Sequence, residues 1–527
     1  MRRRLRPEWP PRDPYLVLAI IVIALMLSHT LKQKWGSGTD VWEHIAAVRE
    51  LADRPFGPLH PLVGTDADHQ FFTPYSLLIA GAMRITGWHV LTAFGVFGML
   101  NLGLVIFGLH RFVKSLGASS HVAFYSLLFT LFLWGHGAWF FSGFLHFNVI
   151  AHVLSYPSTF ALGLTLVALS VHVEFLRQGD LRRLAGVTLA AVVVLLSHPI
   201  TFTFFAVGLA ALAVALEPQR WRAALVPTAA ALGAAVVAGL LWPYFSIYDL
   251  LFGGSPEVEG AYREALDGVN RDLYVRVAER LLPALVIVPF VALRARRWRR
   301  EPLILMMAAL TTVYVYGWVR DVGAYSRTLT FLLLVGTIIV GQELVKAHES
   351  LAGLRSSVAA ARRWIYVSTA VLLAMGVVNL RNGFSVLPDR LIEDVPYNWL
   401  HNEVGFTRFE DYEFLEENHD RYEVVLSDIY TSLEVPAFGS RVVSAARAQP
   451  FADTRERSGD LERFFAPNAS SEDRRSIIDR YDVSLLIITQ ERLRNEPEHH
   501  KPMLELGRVV SSNDRFVFVE VDPDAEE

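Results

Sequence analysis

The stretch "LAGVTLAAVVVLLSHPITFTFFAVGLAALAVAL", Leu184 to Leu216, runs for 33 residues without a charge. As a helix, at about 1.5 Å per residue, it would span roughly 50 Å, whereas two crossings of a hydrocarbon core need about 60 Å. Arg182 and Arg183 precede it, and Arg220 and Arg222 follow it. Short cytoplasmic loops carry the excess of Lys and Arg, so both ends of the run belong inside. The run therefore predicts a helical hairpin that turns at Ser197-His198-Pro199, short of the outer surface. His198 is then expected in a recess that opens outward.

The other basic clusters extend this logic: residues 2–12, Arg111 with Lys114, 294–300 and 346–363. Keeping every cluster inside predicts eleven transmembrane helices. They lie at 15–31, 88–112, 120–141, 156–176, 184–198, 199–216, 223–242, 280–294, 302–318, 328–345 and 364–380. Residues 71–87, "FFTPYSLLIAGAMRITG", read as an interfacial or re-entrant helix, because a crossing there would send Arg111 outside. The odd count makes this a multi-pass plasma (inner) membrane protein with a cytoplasmic N-terminus. The run at 15–31 lacks a small-x-small cleavage pattern and reads as a retained first helix.

Charge changes sign near residue 381. Residues 1–380 carry a net +10 and residues 381–527 a net −14, which together give the −4 of the chain. The expected fold class is an all-α polytopic membrane domain, 1–380, with a first outer loop at 32–87, followed by a small α/β extracytoplasmic domain, 381–527. In the tail, "YEVVLSD" (422–428), "SRVVSA" (440–445) and "VSLLIITQ" (483–490) read as strands. "SSEDRRSIIDRY" (470–481) reads as a capped helix, and "GRVVSSNDRFVFVEV" as a hairpin around Ser512-Asn513-Asp514. The acidic balance argues against nucleic acid or other anionic polymers as partners. The chain has no cysteine, which excludes disulfides, Cys-ligated zinc and thiol nucleophiles.

Chemistry concentrates where the chain leaves its first crossing. In "KQKWGSGTDVWEHIAAVRELADRPF", Lys32 to Phe56, a helix starts after Gly36-Ser37-Gly38 with Thr39 as its expected N-cap. Asp40, Glu43 and His44 then fall at i, i+3 and i+4, on one helical face. The same loop continues into "LHPLVGTDADHQFFTPY", which adds His60, Asp66, Asp68 and His69. Carboxylates and imidazoles so gathered suit base catalysis, or a divalent cation such as Mg or Mn held by oxygen ligands. For a cation the candidate ligands are Asp66 and Asp68 with Asp40; no cofactor is required by the sequence. A second group, Arg320, Asp321, Tyr325 and Arg327, lies at the outer end of two adjacent crossings in "YGWVRDVGAYSRTLTFLLL". Arg327 runs directly into the apolar segment, and a guanidinium fork matches phosphate oxygens. His146, Asn148 and His152 read as loop or interfacial residues.

This pattern resembles the type C (GT-C) glycosyltransferases, polytopic membrane enzymes that use sugars carried on polyprenyl phosphate or diphosphate. Their shared feature, an acidic residue on a helix just past the first crossing, matches Asp40 in "GTDVWEH". "LLSHPITF", "GAYSRTLTF" and "VVLSDIYTSLEVPAFGSRVV" are similar to segments of uncharacterised relatives. The chain lacks the adjacent Asp-Glu pair of protein mannosyltransferases and the Trp-Trp-Asp signature of oligosaccharyltransferases.

The resemblance implies an inverting transfer of sugar from a polyprenyl-phosphate (or diphosphate) donor to an extracytoplasmic acceptor, whether glycan, lipid or protein. Asp40 is then expected as general base, with Glu43 and His44 orienting it or setting its protonation. Arg327 and Arg320 are expected to hold the donor phosphate, with Tyr325 and His198 as further donor-site residues. Two other classes stay open: a lipid or solute transporter (flippase), and a catalytically inactive scaffold with the same fold.

Overall fold

The structure, a computed structural model, describes residues 13–32, 34–36, 39–252, 270–296, 298–352, 358–387, 389–391, 406–445, 447, 449–452 and 455–521. In chain order the elements of the first half are α1 (Pro14–Thr30), β1 (Lys34–Gly36), α2 (Val41–Asp53), α3 (Pro74–Thr86), α4 (Val90–Ser115), α5 (Ser120–Phe132), α6 (Ile150–Val153), α7 (Pro157–Gln178), α8 (Leu181–Ser197), α9 (Pro199–Leu216) and α10 (Trp221–Leu240). Helices Pro302–Arg320, Thr328–Ala352 and Val358–Asn379 follow. Their ends obey local chemistry. Proline opens α3, α7 and α9, where a missing N–H costs no intrahelical bond. Gly87 and Gly179 close α3 and α7 in the left-handed region, at φ 70 and 71.

Every expected crossing coincides with a helix, but not all have the length to span. Among the described residues six helices are long and apolar enough to cross a membrane: Val90–Ser115, Pro157–Gln178, Pro199–Leu216, Trp221–Leu240, Pro302–Arg320 and Gly323–Ser350. These are the helices of a membrane protein, although they do not establish the count of eleven. Pro14–Thr30, Ser120–Phe132, Leu282–Ala295 and Tyr366–Asn379 are shorter apolar helices. The helix expected over 120–141 stops at Phe132, and Gly137 follows at φ 64. At about 1.5 Å per residue α3 rises only about 20 Å, less than a bilayer core.

The chain forms two compact units. The first comprises Met1–Leu31, Phe97–Gly239 and Asp267–Asn402; the second comprises Lys32–Val96, Leu240–Leu266 and Glu403–Glu527. Within the first, α7, α8 and α9 pack on one another and α5 packs on Thr328–Ala352. The hairpin turn falls at Ser197-His198-Pro199, as its length requires. Small residues let α4 and α7 approach closely: a Cβ on Gly108 would lie 2.8 Å from Gly163 O. Such close approach is a common way for membrane helices to gain dispersion contact, since lipid gives them no hydrophobic drive to associate.

The second unit is built on a sheet. β3 (Val424–Ser427) runs parallel to β4 (Arg441–Val442) on one side and to β5 (Leu485–Thr489), the central strand, on the other. β6 (Gly507–Ser512) and β7 (Phe516–Val521) form the expected hairpin, and β7 pairs antiparallel with β5. The order is therefore β4-β3-β5-β7-β6. Helix Ser471–Arg480 carries the expected cap, a reciprocal capping box between Ser470 and Asp473. Leu426, Phe464, Ile477, Leu486 and Val519 lie in the apolar core between this sheet and its helices. A short strand pair was not legible in the sequence: β1 runs antiparallel to β2 (Phe406–Arg408). It ties the stretch that follows α1 to the start of the sheet region.

Candidate functional site

Helix α2 is buried on all sides over its first two turns, Val41 to Val48. Trp42 is fully enclosed with its ring against Phe438, 5.6 Å between centroids. Asp40, rather than the expected Thr39, occupies the N-cap position, and its carbonyl accepts from His44 N at 3.2 Å. The Asp40 side chain makes no capping bond to the helix, and the residue is partly exposed. One turn further on, Glu43 and His44 are buried, at 2% and 5% exposure. The face expected to be polar thus reaches solvent only at its first residue. The His44 ring lies against Phe71, 3.8 Å between centroids.

Two more histidines line the same region. His60 and His69 are fully buried and meet edge to face, 4.8 Å between ring centroids. Each Nδ1 accepts a backbone N–H, from Leu62 at 3.4 Å and from Phe71 at 3.3 Å. In the neutral ring this leaves the proton on Nε2. Those Nε2 atoms and Glu43 Oε1 are buried without a hydrogen-bond partner.

Burial dominates the electrostatics here, because it disfavours whichever form is charged. It pushes the Glu43 carboxyl up to about 7, with Arg447 and Gln449 pulling against it and Asp40 adding to it. It lowers His44 to about 4, His60 to about 3 and His69 well below its usual value. Arg447 and Gln449 come from the C-terminal segment, "SAARAQPF", and sequence reasoning missed both. Nothing in that stretch signals a position beside residue 43.

Asp66 and Asp68 are both exposed. Burial, Asp249 and Asp66 raise Asp68 above its usual range. Among the described residues no group of three His, Cys, Asp or Glu is arranged to hold a metal ion. The set Asp40, Asp66 and Asp68 does not form such a group.

The arginine cluster belongs to the first unit. Arg327 closes a short 3-10 turn, Gly323–Arg327, which packs on helix Pro302–Arg320. Its Nε donates to Asn270 Oδ1 at 2.8 Å and its Nη1 to Ser142 Oγ at 3.0 Å. These two groups are neutral, and Asn270 is fully buried. Phe141 lies beneath the guanidinium, 5.3 Å from its ring centroid. Tyr325 is partly exposed with its ring near Tyr316, and Arg320 is exposed at the end of its helix. Asp321 pairs with Arg271 through two bonds, at 2.9 and 2.6 Å, instead of with its neighbour Arg320. His198 serves the fold directly, since its Nδ1 accepts from Thr201 N at 3.2 Å and caps α9. His146 and Asn148 are packed internally, on Trp139 O and Gly383 N.

The fold of this chain, a helical unit and a mixed α/β unit that holds α2, is shared with solved structures. ArnT from Cupriavidus metallidurans in the apo state aligns with a TM-score of 0.55 at 14% identity, over 96% of this chain and 97% of that one. The same protein bound to undecaprenyl phosphate gives 0.54 at 12% identity, over 98% and 99%. The archaeal oligosaccharyltransferase AglB from Archaeoglobus fulgidus, in complex with an inhibitory peptide and a dolichol-phosphate, gives 0.51 at 11%, over 97% and 74%. No known sequence family matches the chain, and no curated protein matches it in sequence.

Proposed function

We propose that this chain is a membrane glycosyltransferase that moves a sugar from a polyprenyl-phosphate or diphosphate carrier to an extracytoplasmic acceptor, with inversion. The observation that supports it best is the setting of Asp40. It is the one polar residue of its helical face that reaches solvent, and it stands at the head of a rigid, buried helix. The fold shared with ArnT, whose structure holds undecaprenyl phosphate, supports the carrier.

In this mechanism an acceptor hydroxyl gives its proton to an Asp40 carboxylate oxygen as the acceptor oxygen bonds to the anomeric carbon. The bond from that carbon to the phosphate oxygen breaks, and the carrier phosphate leaves with the electron pair. Positive charge that develops on the sugar ring favours a nearby carboxylate. Arg327, with Arg320 and Tyr325, takes the leaving phosphate, whose negative charge grows as the bond breaks. Glu43 and His44 set the position and protonation of Asp40. The N-terminus is cytoplasmic and the sheet domain extracytoplasmic, where it meets the acceptor.

The test uses the full-length chain in nanodiscs with radiolabelled undecaprenyl-phosphate hexoses and pentoses, and cell-envelope extract as acceptor. One of these donors should support transfer, and Asp40→Asn should abolish it while the protein stays folded. Transfer that survives Asp40→Asn points instead to a scaffold or flippase.

A further inference from the structure

Asn270 is fully buried, and its side-chain oxygen meets a cation: Oδ1 accepts from Arg327 Nε at 2.8 Å. Its backbone carbonyl accepts from Ser326 Oγ at 3.0 Å, so one residue is bonded to both Ser326 and Arg327. The residues that follow are held too. Arg271 pairs with Asp321, and Tyr274 OH donates to Val322 O at 2.9 Å. Trp139, on the loop after α5, donates its Nε1 to Asp272 Oδ2 at 2.9 Å. Asn270 is thus anchored at its carbonyl and through its neighbours, apart from what its amide does.

The guanidinium of Arg327 is fixed on three sides. Asn270 holds Nε, Ser142 Oγ holds Nη1 at 3.0 Å, and Phe141 lies across the face, 5.3 Å from its ring centroid. Two bonds in the plane set the rotation of the group, and the ring beneath sets its tilt. A fork delivers two parallel N–H donors to a phosphate only when it is turned correctly. A side chain that must be ordered during binding weakens the complex, so an arginine ordered beforehand binds more tightly. A buried amide is costly unless its polar atoms are used, and a leucine of similar size would fill the space without that demand.

We propose that Asn270 is a positioning residue of the donor site, which presets the Arg327 fork for the phosphate of a polyprenyl carrier. Removing its acceptor oxygen leaves the charge of Arg327 in place but lets the fork turn. This rests on Arg327 holding the donor phosphate.

The test is binding of undecaprenyl phosphate to the full-length chain in nanodiscs. Asn270→Leu matches the amide in size and Asn270→Ala leaves room, and both keep the backbone carbonyl that Ser326 uses. The Kd for undecaprenyl phosphate should rise about tenfold in either variant. In the Arg327→Lys background, which has neither Nε nor fork, the same substitutions should add less than about twofold. A purely structural role would lower the number of binding sites and leave the Kd of the folded protein unchanged. The inference is overturned by that result, or by a penalty that persists in full beside Arg327→Lys. It is equally overturned if neither variant folds, which also marks a structural role. Arg327→Lys alone is the control: if it binds undecaprenyl phosphate as tightly as the natural protein, the donor-site reading of Arg327 fails and the inference goes with it. If Arg327→Lys weakens binding and the Asn270 variants do not, only the inference fails.

Discussion

Glu50, buried on the last turn of α2, forms an ion pair with Arg441 of β4, across 391 residues of chain. Glu50 Oε1 also accepts from Leu59 N at 2.8 Å, and Arg441 Nη1 donates to Pro61 O at 2.8 Å. The pair therefore fastens α2, the loop after it and the sheet to one another. Removing one member of a buried pair leaves the other charge stranded, at a cost of about 3–5 kcal/mol. Arg441→Met should lower the thermal unfolding midpoint of the second unit markedly. Glu50→Gln/Arg441→Met together should recover part of that loss, and a double variant as unstable as the single would contradict the pairing.

Asp40 stands where a base can meet solvent, whereas Glu43 and His44 do not. Loss of a general base typically costs about 10²–10⁴ in rate. Asp40→Asn should show a loss in this range with an unchanged melting curve, measured with the donor that supports turnover. Asp66→Asn and Asp68→Asn should retain most activity; a loss as deep as that of Asp40→Asn would place them in the reaction.

Glu43 gives stability a dependence on pH whose sign can be worked out. Its value is about 7 in the fold against 4.5 when unfolded. Between those values the native state holds the extra proton, so this contribution falls as pH rises and is fully lost above 7. The span corresponds to about 3 kcal/mol. Glu43→Gln should therefore stabilise the protein more at pH 8 than at pH 5, read by thermal unfolding. Equal effects at both pH values would mean that Glu43 does not titrate in this window.

The histidines act in the opposite sense. His44 at about 4 and His60 at about 3 are held neutral where the unfolded chain charges, so they stabilise fully above pH 6.5. That contribution is lost as pH falls through the folded values. His60→Gln should make the second unit less sensitive to acid, seen as a flatter melting midpoint between pH 6.5 and pH 4. An unchanged slope would argue that His60 stays protonated in the fold.

His198 caps α9, and loss of a side-chain cap costs about 1 kcal/mol. Serine can cap in its place, so His198→Ser should match the natural protein in stability while His198→Ala should not. If His198→Ser also keeps its activity, capping accounts for the residue and a phosphate contact is unnecessary. Arg327→Lys keeps the charge but not the fork, and a charged hydrogen bond is worth about 1.5–3 kcal/mol. Donor KM should rise about tenfold or more. An unchanged KM would remove Arg327 from the donor phosphate.

The helices of the first unit and the strands of the five-stranded sheet were legible along the chain, because each depends on periodicity and local stop signals, whereas the β1–β2 pair was not. The turn at His198 followed from length and flanking charge alone. Asp40, Glu43 and His44 were visible as one face, since i, i+3 and i+4 spacing is a property of any helix. What surrounds that face was decided by tertiary structure. Burial reversed the expected character of Glu43 and His44, and burial depends on what packs above a helix, which no local pattern specifies. Arg447, Gln449 and Arg441 reach α2 from a segment about 400 residues away. Their side chains had no signature in sequence, because contacts between distant segments arise only when the folded sheet brings them to one place.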